Sequence, residues 1–343
     1  ASTKGVWALD FRETAPAAAT RDLYLTPEGN AGPGSRTGPR AGGVPGTVAG
    51  LAAAHERFGS RDWKALLAPA AALAREGVVV DRELAADLAH ARNDRQIDQF
   101  PSTAALFYPD GNPALEGTRI VLDELAATID RVAAGGSADF YRGETAKRLV
   151  DGVRSAGGII GDRDLRGYQP IWRAPMQIRF RDYDIFTMPP PSGGGIVLAE
   201  ALSILAGYDL AKAGFQTVSS VHLQAEAMRR AFIDRNRYIG DPGSTRIPLS
   251  DLLSSARASQ WRQSIDMKRA TPTAQLSGGV AASSEGIHTT HFTIIDQDGN
   301  IAAVTTTINA TFGSGFIVPG TGFFLNNEMD DFTVAAGKPN SAG

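Results

Sequence analysis

Cysteine is absent from the 343-residue chain. Disulfides, thiolate metal sites and a thiol nucleophile are therefore excluded, while the redox compartment stays open. Histidine is scarce, with five in all: His55, His90, His222, His288 and His291. Only the last two are close in sequence, and on a strand that spacing puts them on opposite faces, so no metal site is expected. His222 and Glu226 lack the second histidine of a zinc-protease helix and read as a surface or core pair. No apolar run is long enough to cross a bilayer. Neither sign of charge dominates. The formal net charge is -3 and the pI about 6.0, which provides no electrostatic footprint for nucleic acid or an anionic membrane. No Gly-x-Ser-x-Gly elbow occurs, against an α/β-hydrolase. The Pro-Pro-Pro-Ser-Gly-Gly-Gly run at 189–195 matches neither the Walker nor the dinucleotide pattern and has no nearby lysine, so it reads as a tight turn before a helix. No cofactor is expected.

What is present suits a large globular core: 43% hydrophobic and 21% charged residues, enough for one large or two ordinary domains. Residues 5–11 read as a short strand, and 30–43 as a Gly/Pro-rich loop. Helices are predicted at 47–57, at 62–73 with Asp62 as cap and Pro69 as a kink, at 81–92, 118–132, 138–153 and 196–205, and at 218–238. Residues 173–187 read as two strands around a turn at 181–183. Helices dominate the middle and strands gather near the end, which predicts an α+β layered fold. The opening residues, Ala1, Ser2, Thr3 and Lys4, do not read as a signal peptide.

The most informative stretch lies near the end. Two β-rich segments, 289–295 and 301–309, flank an Asp298-Gly299 turn signal and predict a hairpin. Thr289, His291 and Thr293 share one face of the first strand; Thr305, Thr307 and Asn309 share one face of the second. These polar sets meet on one face only if the loop is odd. A three-residue loop puts Thr289 opposite Asn309, and a five-residue loop puts it opposite Thr307. Threonine is favoured in strands, so a half-solvated sheet and a nucleophile cluster are both open on composition. The Asn309-Ala310-Thr311 glycosylation match is short and reads as accidental.

Several motifs, in order along the chain, resemble the γ-glutamyltransferase family. They are Asp10-Phe11-Arg12-Glu13-Thr14-Ala15-Pro16, Val44-Pro45-Gly46-Thr47-Val48-Ala49-Gly50, residues 188–195, the stretch from His288 to Thr293, and the Asp-x-Asp-Gly-Asn turn. Thr305-Thr306-Thr307-Ile308-Asn309, Phe312-Gly313-Ser314-Gly315 and Leu325-Asn326-Asn327-Glu328-Met329-Asp330-Asp331-Phe332 complete the set. The resemblance implies a four-layer αββα sandwich of the N-terminal nucleophile hydrolase type. It also implies a precursor that cuts itself between His288 and Thr289. Residues 1–288 would then be the large-subunit portion, 289–343 the start of the small subunit, and the two together one αββα domain. Thr289 would be the nucleophile, with Thr307 supporting its hydroxyl. Arg12 would grip the α-carboxylate of a γ-glutamyl group, while Asn309, Glu328 and Asp331 hold its α-amino and α-carboxyl ends. Glu328 stands where some members have Gln. The family's Ser-Ser pair and Gly-Gly oxyanion element would lie beyond Gly343.

Those residue types suit the chemistry. A threonine hydroxyl needs a base, and a free α-amine on the same residue serves, with a pKa around 7.7–8.0. Arginine's planar fork fits a carboxylate, and acidic groups fit an ammonium. The implied function is γ-glutamyl transfer and hydrolysis on glutathione-type donors, with amino acids, peptides or water as acceptors. The implied location is periplasmic or secreted. The alternatives are a same-fold amidase acting on glutaryl-cephalosporins or poly-γ-glutamate, or an uncleaved, inactive homologue.

Overall fold

The computed structural model describes residues 5–277, 288–332 and Val334. The opening residues 1–4 and most of the end of the predicted small-subunit stretch lie outside the described residues. The fold is α+β. Among the described residues the strands pair as four two-stranded antiparallel sheets, surrounded by helices.

Local sequence signals account for most helices. Asp62 caps the helix Trp63–Glu76 by accepting the Ala65 N–H at 2.9 Å, and that helix runs on through Pro69. Asp81 caps Arg82–Arg95 in the same way, through the Leu84 N–H at 2.7 Å. Thr217 caps Val218–Tyr238 through Ser220. Such caps satisfy backbone donors that have no partner inside the helix. The middle helices differ from expectation. The expected interruption between 132 and 138 is present at Gly136, φ +64°, where two helical runs within Asp123–Arg142 meet at a kink, but a second interruption at Gly143 precedes Glu144–Ser155. Phe140 and Tyr141, in the short helical run between these two glycines, are both buried.

Two regions of core matter for the site. Val44, Phe140, Leu149, Ile160 and Tyr168 cluster with Phe316, Val318 and Leu325. Leu88, Ile97, Phe107 and Ile120 cluster with Phe312 and Ile317. Residues 312–325 are thus threaded into a core otherwise built by residues before 169. Gly313 allows this: its φ is +50°, and a Cβ there would lie 2.3 Å from the Leu325 carbonyl oxygen.

A third cluster joins the helices Gly194–Leu205, Val218–Tyr238 and Ser255–Gln263. Asp234, fully buried, accepts from Arg257 through both carboxylate oxygens and from Trp261 Nε1 at 2.8 Å. Glu200 faces it and is 2% exposed, with neither carboxylate oxygen bonded to a donor. Burial, then the charge of Asp234, pushes Glu200 up to about 9. At neutral pH it is a protonated acid able to donate to Asp234. His222 and Glu226 do not pair. His222 Nε2 lies 2.8 Å from the Asp266 carbonyl, while Glu226 is buried against Arg229, Arg230 and Thr271.

Candidate active site

The predicted hairpin forms, with strands Thr289–Ile295 and Ile301–Thr307 joined by the five residues 296–300. Thr289 therefore stands opposite Thr307, the five-residue alternative. Asp296 selects this loop: its carboxylate accepts from the backbone N–H of Asp298 and Asn300 at 3.0 and 2.8 Å and from Asn300 Nδ2 at 2.8 Å. Thr289, His291, Thr305 and Thr307 share one face, and His291 Nδ1 lies 2.7 Å from Thr305 Oγ.

At the open end, the Thr307 hydroxyl donates to the His288 carbonyl oxygen at 2.8 Å and accepts from the Asn309 N–H at 2.9 Å. In this uncut chain Thr307 thus holds the peptide bond before Thr289 through its oxygen. Asn309, at φ +73°, sends its Nδ2 to the Asn327 carbonyl at 3.0 Å, while Asn327 Oδ1 accepts from the Ala310 N–H at 3.0 Å. Asn327 is the chain neighbour of Glu328, so the hairpin end and the acidic turn are bonded together.

That turn, Glu328–Asp331, is fastened to the early loop. The Asn326 side chain exchanges two 2.9 Å hydrogen bonds with the Gly43 backbone and accepts from the Glu328 N–H at 3.0 Å. Asn327 Nδ2 donates to the Arg36 carbonyl, and Ser35 donates to Asp330 at 2.8 Å. Arg12 arrives from the other side, just past the strand Ala8–Asp10, which pairs with Ile171–Arg173. Asp10 accepts the Arg12 N–H at 3.0 Å and the Arg173 Nε at 2.8 Å, and Tyr168 donates to the Arg12 carbonyl at 3.0 Å. Gly46 is required for this approach, since a Cβ there would meet the Phe11 carbonyl oxygen at 2.0 Å.

The result is an ionic cluster. Arg12 pairs with Asp331, and its Nη2 is 3.8 Å from Glu328. Glu13 completes it. Burial raises the Glu13 carboxyl, opposed by a backbone hydrogen bond and by Arg12. Glu328 is 5% exposed, and burial, reinforced by the charges of Glu13 and Asp331 against the pull of Arg12, pushes it up to about 8. With its carboxyl raised this far, Glu328 is mostly a neutral acid at pH 7. A neutral carboxylic acid donates and accepts as a Gln amide does.

The seven sequence-predicted positions fall into two groups. His288, Thr289, Thr307 and Asn309 meet at the hairpin end, Arg12, Glu328 and Asp331 form the ionic cluster, and Asn327 links the two groups. Glu13, Asn326, Asn327 and Thr311 had no role in the sequence reading. The first three lie within motifs that carry the family resemblance, which is the one signal that points to them. Among the described residues no group of three or more histidine, aspartate and glutamate side chains is placed to hold a metal ion.

Comparison with known proteins fits this arrangement. The family model described as Gamma-glutamyltranspeptidase matches residues 1–343. A glutathione hydrolase proenzyme from Pseudomonas sp. (strain A14) is 41% identical over 336 residues, covering 98% of this chain and 58% of the relative. The chain therefore spans less than two thirds of that relative's length. The crystal structure of Helicobacter pylori gamma-glutamyltranspeptidase is similar at 33% identity and a TM-score of 0.76, covering 82% of each chain. That of the cephalosporin acylase from Bacillus halodurans has 26% identity and a TM-score of 0.81, covering 100% of this chain and 61% of its own. The α+β fold is that of these N-terminal nucleophile hydrolases. With its whole length matched by the family model, the chain belongs to the γ-glutamyltranspeptidase family.

Proposed function

We propose that the protein carries out γ-glutamyl transfer and hydrolysis on glutathione-type donors, through a γ-glutamyl ester on Thr289 formed after self-cleavage between His288 and Thr289. The observation that carries this reading is the Arg12–Asp331 pair beside Glu328, bonded through Asn327 and Asn309 to the Thr307–His288 end. An amino-acid head group is a zwitterion and enters by exchange. Its carboxylate replaces Asp331 on the Arg12 guanidinium, and its ammonium replaces the guanidinium beside Asp331. Each charge finds an opposite partner, so desolvation is offset on both sides.

Self-cleavage begins with the Thr289 hydroxyl attacking the His288 carbonyl carbon. The C–N bond breaks, the hydroxyl proton ends on the departing nitrogen, and water then hydrolyses the ester. Thr307 donates to the oxygen on which charge develops, a donor already placed in the uncut chain. In the mature enzyme the freed Thr289 amine takes the hydroxyl proton as the γ-glutamyl carbonyl is attacked. Water or an acceptor amine resolves the ester. Residues 1–288 and those from 289 onward would stay together, because 312–325 share a core with residues 44–168. We place the protein in the periplasm or outside the cell on the family likeness; no described helix is long and apolar enough to cross a membrane.

A same-fold amidase is the second reading, supported by the likeness to the cephalosporin acylase. The acidic cluster favours the first, because a glutaryl group has no ammonium to match the carboxyl groups of Asp331 and Glu328. The test is a denaturing gel with N-terminal sequencing of the smaller fragment, expected to begin at Thr289. Thr289→Ala should give one uncut chain, and Thr289→Ser should still cut. Two fragments from Thr289→Ala would refute the nucleophile assignment.

A further inference from the structure

Thr311 has no part in the steps above, yet it touches the residue whose carbonyl is attacked. Its hydroxyl lies 2.9 Å from His288 Nδ1. His288 is exposed, so solvent alone would leave its ring free to rotate. Thr311, by contrast, is rigidly presented. The Gly313 N–H donates to the Ala310 carbonyl at 2.8 Å, the Gly315 N–H to the Phe312 carbonyl at 2.7 Å, and the Ser314 N–H to the Leu325 carbonyl at 2.8 Å. Phe312, next in the chain, is 5% exposed and packs on Phe107 and Phe324.

His288 is therefore held at two points. Thr307 holds its carbonyl oxygen and Thr311 its imidazole, and both come from the segment that follows the second hairpin strand or ends it. Two anchors on one residue fix the plane of the peptide bond after it, whereas one anchor leaves rotation about that contact. We propose that Thr311 is a positioning residue for self-cleavage, docking the His288 ring so that the scissile carbonyl stays aligned with the Thr289 hydroxyl. This rests on the cleavage reading given above. It assigns the side chain before the cut a role in the rate, whereas the chemistry itself needs only that residue's carbonyl. The bond changes remain those already described: Oγ–C forms, C–N breaks, and the proton passes to nitrogen.

The experiment follows first-order processing of freshly purified full precursor by denaturing gel and intact mass. A neutral hydrogen bond of this kind corresponds to a slowing of about 2- to 10-fold. Thr311→Ala should slow cleavage by that factor, Thr311→Ser should restore it, and His288→Ala should match Thr311→Ala. The double variant should be no slower than either single one, because both remove the same contact. Melting temperatures of the uncut Thr289→Ala background, with and without Thr311→Ala, should agree; a fall there with no change in cleavage rate would make Thr311 purely structural and overturn the proposal. Wild-type processing in Thr311→Ala, or slowing that multiplies in the double variant, would also overturn it while leaving the cleavage reading intact. No cut at 288–289 in the unsubstituted precursor would instead refute both.

Discussion

Replacing Glu200 by Gln should change how stability depends on pH by removing a loss that the native carboxyl brings as pH rises. In the fold Glu200 is 2% exposed, faces the Asp234 carboxylate, and is pushed up to about 9. In the unfolded chain it titrates near 4.5, the ordinary value. Between these values the folded protein holds a proton that the unfolded chain has released, so unfolding releases one proton and stability falls as pH rises. The contribution is fully present below about pH 4.5 and is lost as pH climbs through about 9. One proton corresponds to about 1.4 kcal/mol per pH unit. From about pH 6 to about pH 8 the Glu200 term should therefore decline by ~3 kcal/mol. A Gln at 200 keeps the shape, donates its amide N–H to Asp234, and cannot titrate. Glu13 and Glu328 are raised too and act in the same direction, but they do so equally in both proteins, so the difference isolates Glu200. The assay is urea unfolding of the two proteins across this pH range. The gap in unfolding free energy should open in favour of Gln as pH rises. Parallel curves would refute the protonated-acid assignment. A large loss for Gln at pH 6 would mean that its amide has no acceptor there.

Arg12→Ala should lower kcat/KM about 10- to 150-fold, the worth of a charge-assisted hydrogen bond, with Arg12→Lys recovering part. The loss should vanish for a donor whose α-carboxylate is blocked, and an equal loss on both donors would refute the carboxylate role. Glu328→Gln should fold normally, because the native group is already neutral at pH 7 with its carboxyl pushed up to about 8. If a bound ammonium favours the ionised form, donor binding below that pH releases a proton, and affinity should rise by up to about tenfold per pH unit until it levels near 8. The Gln variant should lack that slope. An identical slope in both, measured by inhibition with a non-reactive amino-acid analogue, would show that the ammonium does not contact Glu328.

Much of this protein is local and hence legible. A helix cap acts on N–H groups a few residues away, so the sequence named Asp62 as one without reference to the rest of the chain. The same holds for the parity of the hairpin: strand alternation has period two, so the two polar faces can coincide only across an odd loop. The order of the family motifs likewise named Arg12, Thr289 and the acidic turn. Sequence could not choose between loops of three and five residues, because that choice depends on where the Asp296 carboxylate turns. It placed the break that falls at Gly136 but not the second one at Gly143, which divides the predicted helix 138–153. Arg12 and Asp331 lie 319 positions apart, and they meet only because the 312–325 segment is buried among the early helices and Asn326 is fastened to Gly43. The protonation of Glu328 and Glu200 belongs wholly to the tertiary structure. A carboxyl group's charge depends on the water it loses and the carboxylates it meets, and both are set by packing.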